Sequence, residues 1–479
     1  MRIHCWLTLA LLACLTACAT RPAATTQPGY TAHPCSAEYD QLPHRIECGR
    51  MRVPETRGVA NGRWVSFPVV RVHALNHPKA DPVIFLHGGP GGGIVAKLPK
   101  RLKQRGTAIT EDRDWIYFDH RGTGQSLPSL DCGTLGLSDA GLTSEQAATD
   151  AARCGERLTR EGVDLSQFNT AVLVQDLTDL RKALGIDAYN LMGVSYGSRV
   201  AMGVMQHDPS GLRAVVLDSP WPPEATWTAP LPGLISREMR QVLALCARDA
   251  ACNTRYPNIE DQLDTLLGQW LQTPAKNRKP DHNAEALAAF LLESMYSDEG
   301  ARSLPMFIAQ ILDGDYTALD AFLVEQSGYS EGQFFTHLCK EEFGFESPAG
   351  LDRIDQTDPI AQATARAARR YFDACLGYAV GPSNPIENQP VISAIPTLLL
   401  TADIDAGCPT ELAVAAATQL TQSQVFEMPN MTHAVASRSP CAKRMIGAFL
   451  DQPGKPVDAS CIAMDRPAFP FILDPAAGH

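Results

Sequence analysis

Five consecutive residues, Gly193-Val194-Ser195-Tyr196-Gly197, place a serine between two glycines. An apolar segment (Tyr189, Leu191, Met192) precedes them, and a helix-like stretch begins near Ser198. A strand, a sharp turn and a helix with serine at the apex present the hydroxyl as a nucleophile. The turn is strained, and glycine on either side removes side chains that would strike the adjoining strand and helix. A serine hydroxyl attacks a carbonyl well only when a histidine takes its proton and a carboxylate orients that histidine. Both follow in order. Asp403 and Asp405 come after a strand-like run at 397–401, and His433 comes after another at 424–428. Asp405, deeper in the turn before Pro409, is the preferred acid. Asp403 and Asp218 are the alternatives, the latter closing a strand-like run at 212–217. His87 and His120 flank glycine loops and read as structural; His282 and His337 receive no catalytic role.

Acyl transfer also needs backbone N–H groups aimed at the developing oxyanion. One is that of Tyr196, directly after the nucleophile. The other is expected from the loop His87-Gly88-Gly89-Pro90-Gly91, with Gly89 preferred and Gly88 next. A phosphate-cradling loop is disfavoured, because no Lys-Ser/Thr pair follows the glycines and the spacing of a dinucleotide fingerprint is missing. Neither a Cys-x-x-Cys motif nor a histidine pair at ligand spacing is present, so no metal and no cofactor is expected.

Strand-like and helix-like segments alternate through most of the chain, which predicts an α/β fold around a mostly parallel central sheet. Strands are expected at 45–75 (short pieces), 82–87, 115–119, 212–217, 397–401 and 424–428. A helix is expected at 171–184, where Val174, Leu177, Leu180 and Leu184 share one face and Gly185 stops it. Between 221 and 389 the pattern turns helical after a proline cluster, with apolar periodicity at 235–247, 259–271, 284–296, 304–312 and 362–376. The predicted organisation is a core (35–220), an inserted helical cap (221–390) and a return to the core (391–479).

The chain has 479 residues and a net charge of −12 spread without long runs, which argues against a nucleic-acid surface. Arg2 and a short apolar core at 7–15 read as a signal peptide (1–17), too short to span a bilayer. Leu15-Thr16-Ala17-Cys18 resembles the lipobox of bacterial lipoproteins, which would make Cys18 the lipidated first residue of the mature chain. Residues 18–34, rich in Ala, Thr and Pro, read as a flexible tether. The expected location is therefore the envelope, at an outer membrane facing the periplasm or at the cell surface, with the lipid as the only membrane contact. Export permits disulfides. Local spacing favours Cys35 with Cys48, Cys132 with Cys154, Cys246 with Cys252, Cys339 with Cys375 and Cys441 with Cys461, leaving Cys408 single. Connectivity itself does not follow from sequence.

The loop His87-Gly88-Gly89-Pro90-Gly91, the run Asp119-His120-Arg121-Gly122, the serine motif, Asp405 and His433 together resemble the proline iminopeptidase and tripeptidyl aminopeptidase branch of the α/β-hydrolases. In that fold the triad follows the chain order Ser, Asp or Glu, His. The segment from about 391 to 461 looks most like the tripeptidyl-aminopeptidase-like members. The resemblance implies a serine exopeptidase that removes an N-terminal residue or short peptide through an acyl-enzyme, under a helical cap. It also implies acidic cap residues that read the substrate's free amine, for which Glu341 and Glu342 are the candidates. Relatives usually carry Thr-Pro shortly after the acid, where this chain has Cys408-Pro409. The competing expectations are an ester or amide hydrolase with the same triad and a catalytically silent envelope-binding module.

Overall fold

A computed structural model describes residues 27–76, 81–105, 111–133, 144–228, 230–273, 282–324, 329–464 and 467–474. The signal segment, Cys5, Cys14 and the lipidation site Cys18 lie outside the described residues.

Nine strands form one sheet: β1 (Gly29–His33), β2 (Ile46–Pro54), β3 (Trp64–Val72), β4 (Val83–Leu86), β5 (Trp115–Phe118), β6 (Tyr189–Val194), β7 (Leu212–Asp218), β8 (Thr397–Ala402) and β9 (Ser423–Met428). Their order is β1-β2-β3-β5-β4-β6-β7-β8-β9. The β1-β2-β3-β5 side pairs antiparallel, and from β5 through β4 to β9 every pairing is parallel. Parallel strands need crossover connections that cover both faces. The apolar runs of β4 and β5 and the apolar centres of β7 and β8 match that burial, and the side chains of β5 and β8 are buried throughout. Strand β1 lies within the stretch read as a tether: Gly29–His33 pairs with Cys48 to Arg52 on β2 and ends the sheet.

Core helices α1 (Leu98–Arg105), α2 (Ser144–Arg160), α3 (Thr170–Ala183) and α4 (Tyr196–His207) precede β7. Between β7 and β8 come α5 (Leu231–Arg248), α6 (Ala250–Arg255), α7 (Ile259–Gln272), α8 (Ala284–Ser294), α9 (Asp298–Leu312), α10 (Thr317–Val324), α11 (Glu331–His337) and α12 (Pro359–Gly377). Most of these pack around an apolar cluster of their own, including Ile235, Met239, Leu263, Leu287, Leu304 and Ile308. Helix α12 ties them to the core by packing along α2. The chain then returns through α13 (Thr410–Ala417) and α14 (Pro440–Asp451). Among the described residues no helix is long and apolar enough to cross a membrane.

Disulfides join Cys35 to Cys48, Cys132 to Cys154, Cys246 to Cys252, Cys339 to Cys375 and Cys441 to Cys461. Each closes a loop of 6 to 36 residues. Cys408 is free and buried. Such a density of disulfides points to an extracytoplasmic protein.

Candidate active site

Ser195 stands at the junction of β6 and α4 with φ 56° and ψ −127°, a backbone conformation that L-residues rarely adopt. The turn survives because Gly193 and Gly197 lack side chains. A Cβ at Gly197 would strike the Leu86 carbonyl oxygen, and one at Gly193 would strike the backbone of Gly197. Ser195 is the N-cap of α4, yet its side chain caps no helical N–H. The Tyr196 N–H is the first of the helix and has no acceptor within it. The positive end of the helix dipole therefore lies beside the serine.

The loop after β8 holds Asp405, fully buried, whose Oδ1 accepts from the backbone N–H groups of Gly407 (3.0 Å) and Cys408 (2.9 Å). His433 Nδ1 lies 3.0 Å from both carboxylate oxygens of Asp405. Burial disfavours charge on the His433 imidazole, but the Asp405 carboxylate and Cys408 outweigh it, and the pKa rises well above 6.5. The ring of Tyr296 meets that of His433 edge-on at 4.9 Å between centroids. Gly407 makes room for this, since a Cβ there would enter the tyrosine ring.

Asp403 and Asp218 serve the same loop from other sides. Asp218 accepts from the N–H groups of Val435 (3.0 Å) and Ala436 (2.9 Å), and Met431 N lies 3.4 Å from Asp403 Oδ1. Burial pushes the Asp218 carboxyl up to about 6, against those two hydrogen bonds and the His433 charge. Asp405 is thus the acid that meets the ring, while Asp218 and Asp403 hold the backbone.

Ser195 and His433 make no direct hydrogen bond among the described residues. The buried Cys408 thiol stands within hydrogen-bonding reach of both. In substrate-free hydrolases such contacts are often loose and tighten only when the reacting complex forms.

Gly88 packs directly against Ser195, and Gly89 has φ +135°, which glycine adopts freely. Asp119 organises this loop: its carboxylate accepts from Ile94 N (2.7 Å), Val95 N (3.0 Å) and Gln125 N (2.8 Å). His87 stacks on His120 with centroids 3.7 Å apart, and Arg121 makes two 2.6 Å bonds to the buried Asp176. The cap closes on the loop where Gly92 bridges Tyr329 and Ser330 N donates to Gly91 O at 2.8 Å.

A cavity of about 600 Å³ joins these parts. Ser195, Tyr196, Gly88, Gly89, Cys408 and His433 line it. The cap contributes Trp221, Trp227, Tyr329, Phe334, Tyr371 and one carboxylate, Glu293. Burial raises the Glu293 pKa, partly offset by His433 nearby.

Glu341 and Glu342 lie elsewhere. Both are fully buried outside the cavity wall. Arg199 Nη1 sits 2.7 Å from Glu342 Oε1, and Arg199 Nε sits 3.3 Å from Glu341 Oε2. Glu342 also accepts from the Trp221 indole at 3.0 Å, and Glu341 accepts from Thr170 N at 2.6 Å. His337 lies 3.3 Å from Glu341 and 3.1 Å from Glu342. Arg199, on the nucleophile's own helix, and His337 together pair with both acids, which lie outside the cavity wall. Glu293, on α8, belongs to no sequence motif; only the folding of the cap brings it to the cavity. Among the described residues no group of three or more His, Cys, Asp or Glu is arranged to hold a metal ion.

Comparison with known proteins agrees with this architecture. A 252-residue segment is 26% identical to the serine protease Hip1 of Mycobacterium tuberculosis, covering 46% of this chain and 45% of that protein. A 200-residue segment is 26% identical to the tripeptidyl aminopeptidase of Streptomyces lividans, covering 39% of this chain and 37% of that protein. The chain thus spans under half the length of these relatives. The solved proline iminopeptidase of Mycobacterium smegmatis aligns at 15% identity and a TM-score of 0.37, over 81% of this chain and 95% of that one. Residues 81–435 match the family described as the alpha/beta hydrolase fold, and the chain belongs to that family.

Proposed function

We propose that this protein is a serine exopeptidase that removes N-terminal residues or short peptides, with Ser195, Asp405 and His433 as its triad. The observation that carries the reading is the Asp405–His433 pair, set beside the strained Ser195 at the floor of one capped cavity. Ser195 Oγ attacks the scissile carbonyl carbon and its proton passes to His433 Nε2. Asp405 accepts a hydrogen bond from His433 Nδ1–H and stabilises the imidazolium that forms. The oxyanion is held by the Tyr196 N–H and by an N–H of the glycine loop, Gly89 in the first place. Collapse breaks the C–N bond, His433 returns its proton to the leaving amine, and water then hydrolyses the acyl-enzyme by the reverse sequence.

The cap supports the exopeptidase part of the reading. It encloses the cavity and places the Glu293 carboxylate within electrostatic range of His433, where a free ammonium could be read. Glu293 takes the role that the family resemblance suggested for Glu341 and Glu342. Export fits the five disulfides, and a lipid on Cys18 fits the N-terminal sequence.

One observation favours an ester or amide hydrolase as the second reading: the cap wall is largely aromatic and would suit an apolar acyl chain. Chromogenic anilides and matching esters separate the two. The exopeptidase reading expects free-amine Pro, Ala and tripeptide anilides to be cleaved and their N-blocked forms to be poor substrates. Turnover unaffected by N-blocking would overturn it in favour of the second reading.

A further inference from the structure

We propose that Arg101 is a carboxylate-binding residue of the cavity, and that the substrates favoured by this enzyme are short peptides whose free C-terminal carboxylate reaches it. The inference rests on the exopeptidase reading and adds a substrate class to it.

Arg101 lies on α1, the helix that follows the glycine loop, and lines the same cavity as Ser195. Phe85, Leu98, Leu102 and Tyr117 line the same cavity. It is partly buried, and burial lowers its pKa, with only the Tyr117 hydroxyl acting the other way. His87, beside the serine loop, feels its charge. No carboxylate pairs with Arg101 among the described residues.

The other buried arginines differ. Arg113 pairs with Asp81, Arg121 with Asp176 and Arg199 with Glu341 and Glu342. A desolvated guanidinium without an anion is unfavourable, and such groups in a cleft mark binding sites. Of the acids that line the cavity, Asp218 is committed to two backbone N–H groups and Glu293 lies near His433.

A second observation is independent of that burial. Lys97, Lys100, Arg101 and Lys103 follow one another with no acid between them, in a chain whose net charge is −12. Lys97, at the end of the short turn that precedes α1, and Arg101 both line the cavity. Two positive charges of this run thus line the cavity.

The class of anion follows from the reaction. An enzyme that cuts behind an N-terminal residue releases a fragment whose far end is a carboxylate. That carboxylate comes within a cavity of about 600 Å³ only if the fragment is short. A planar guanidinium meets a carboxylate through two parallel hydrogen bonds. With the amine near Glu293 and the carboxylate at Arg101, both ends of a small peptide would be read.

The test is steady-state kinetics on matched free-amine peptides ending in a carboxylate or in an amide. For the wild-type protein we expect KM to be roughly 10–100-fold lower for the carboxylate, the range of a charge-assisted hydrogen bond. In Arg101→Gln that preference should collapse to within about threefold, and Arg101→Lys should restore part of it. Equal KM values for the two wild-type substrates would overturn the proposal without any variant. So would a preference that survives in Arg101→Gln. An amidated peptide bearing an aspartate distinguishes the source of the anion: its recovery of the low KM would overturn the C-terminal assignment. Cleavage of free-amine anilides is read in parallel, so a failure here is separable from a failure of the exopeptidase reading.

Discussion

Asp298, the first residue of cap helix α9, holds the loop that carries His433. Its Oδ2 lies 2.6 Å from Arg438 Nε, and Arg438 in turn donates to the His433 carbonyl at 2.8 Å. Its Oδ1 accepts from Thr432 N at 3.1 Å and Thr432 Oγ1 at 2.8 Å. The cap therefore fixes the loop of His433, the proposed general base, and also lines the cavity. Asp298→Ala should lower kcat roughly 10–100-fold, as expected when a general base is displaced by about an ångström. The loss of stability should stay within about 1 kcal/mol, because the ion pair is partly exposed. Stopped assays and thermal unfolding of the same preparation check both. A kcat equal to wild type would show that the loop keeps its place without the cap.

The pH profile follows from His433. Its pKa lies well above 6.5, raised by Asp405 and Cys408 against the opposing effect of burial. The imidazole must be neutral to accept the Ser195 proton, so kcat/KM should rise with pH and reach half its plateau above pH 6.5. Asp405→Asn should shift that half-point down and lower kcat by roughly 10⁴-fold. A half-point below 6.5 in the wild-type protein would contradict the assignment.

Much of this site is legible in the sequence because each triad member follows a strand. Such positions are set by chain order and strand patterning, which lets the proposed triad of Ser195, Asp405 and His433 be read from the sequence. The preference for Asp405 over Asp403 and Asp218 rests on turn depth alone, and only the fold shows the other two acids binding the backbone of the histidine loop. The cap is less legible. Glu341 and Glu342 look like surface-helix acids, yet Arg199, more than 140 residues earlier, and His337 pair with both of them. Glu293 and Arg101 have no motif at all, since what lines a cavity depends on how the cap folds over the core. Strand β1 is similarly hidden: Gly29–His33 has the composition of a linker, and its pairing partner lies in β2.

The Cys408 thiol lies near both Ser195 and His433. Burial raises its thiol pKa, partly offset by His433. Methanethiosulfonate reagents should inactivate the enzyme slowly, and faster as pH rises, because the thiolate is the reacting form. Cys408→Thr should be resistant while retaining activity within about tenfold, since a hydroxyl keeps a small polar group there. Cys408→Leu should be nearly inactive, because a branched side chain would separate Ser195 from His433. Full activity in Cys408→Leu would place the thiol outside the reacting geometry.

The Arg199 network predicts an acid limit to stability. His337 and Arg199 pull the Glu341 carboxyl down to about 2, although burial alone would raise it. Its ordinary value is 4.5, so the stability it contributes is complete above pH 4.5 and is lost as pH falls toward about 2. Arg199→Leu should destabilise the protein by about 3–5 kcal/mol, the range for one half of a buried pair. Urea unfolding between pH 7 and pH 3 measures both effects. A wild-type stability that rises as pH falls below 4.5 would contradict the network's role.

The central claim is that Ser195 is a nucleophile activated within this cavity. Labelling with a fluorophosphonate, followed by mass spectrometry of the digested protein, tests it directly. The account predicts one adduct per chain, on Ser195, absent from folded Ser195→Ala and much slower in His433→Ala. No adduct on the folded wild-type protein, or an adduct on a different residue, would contradict it.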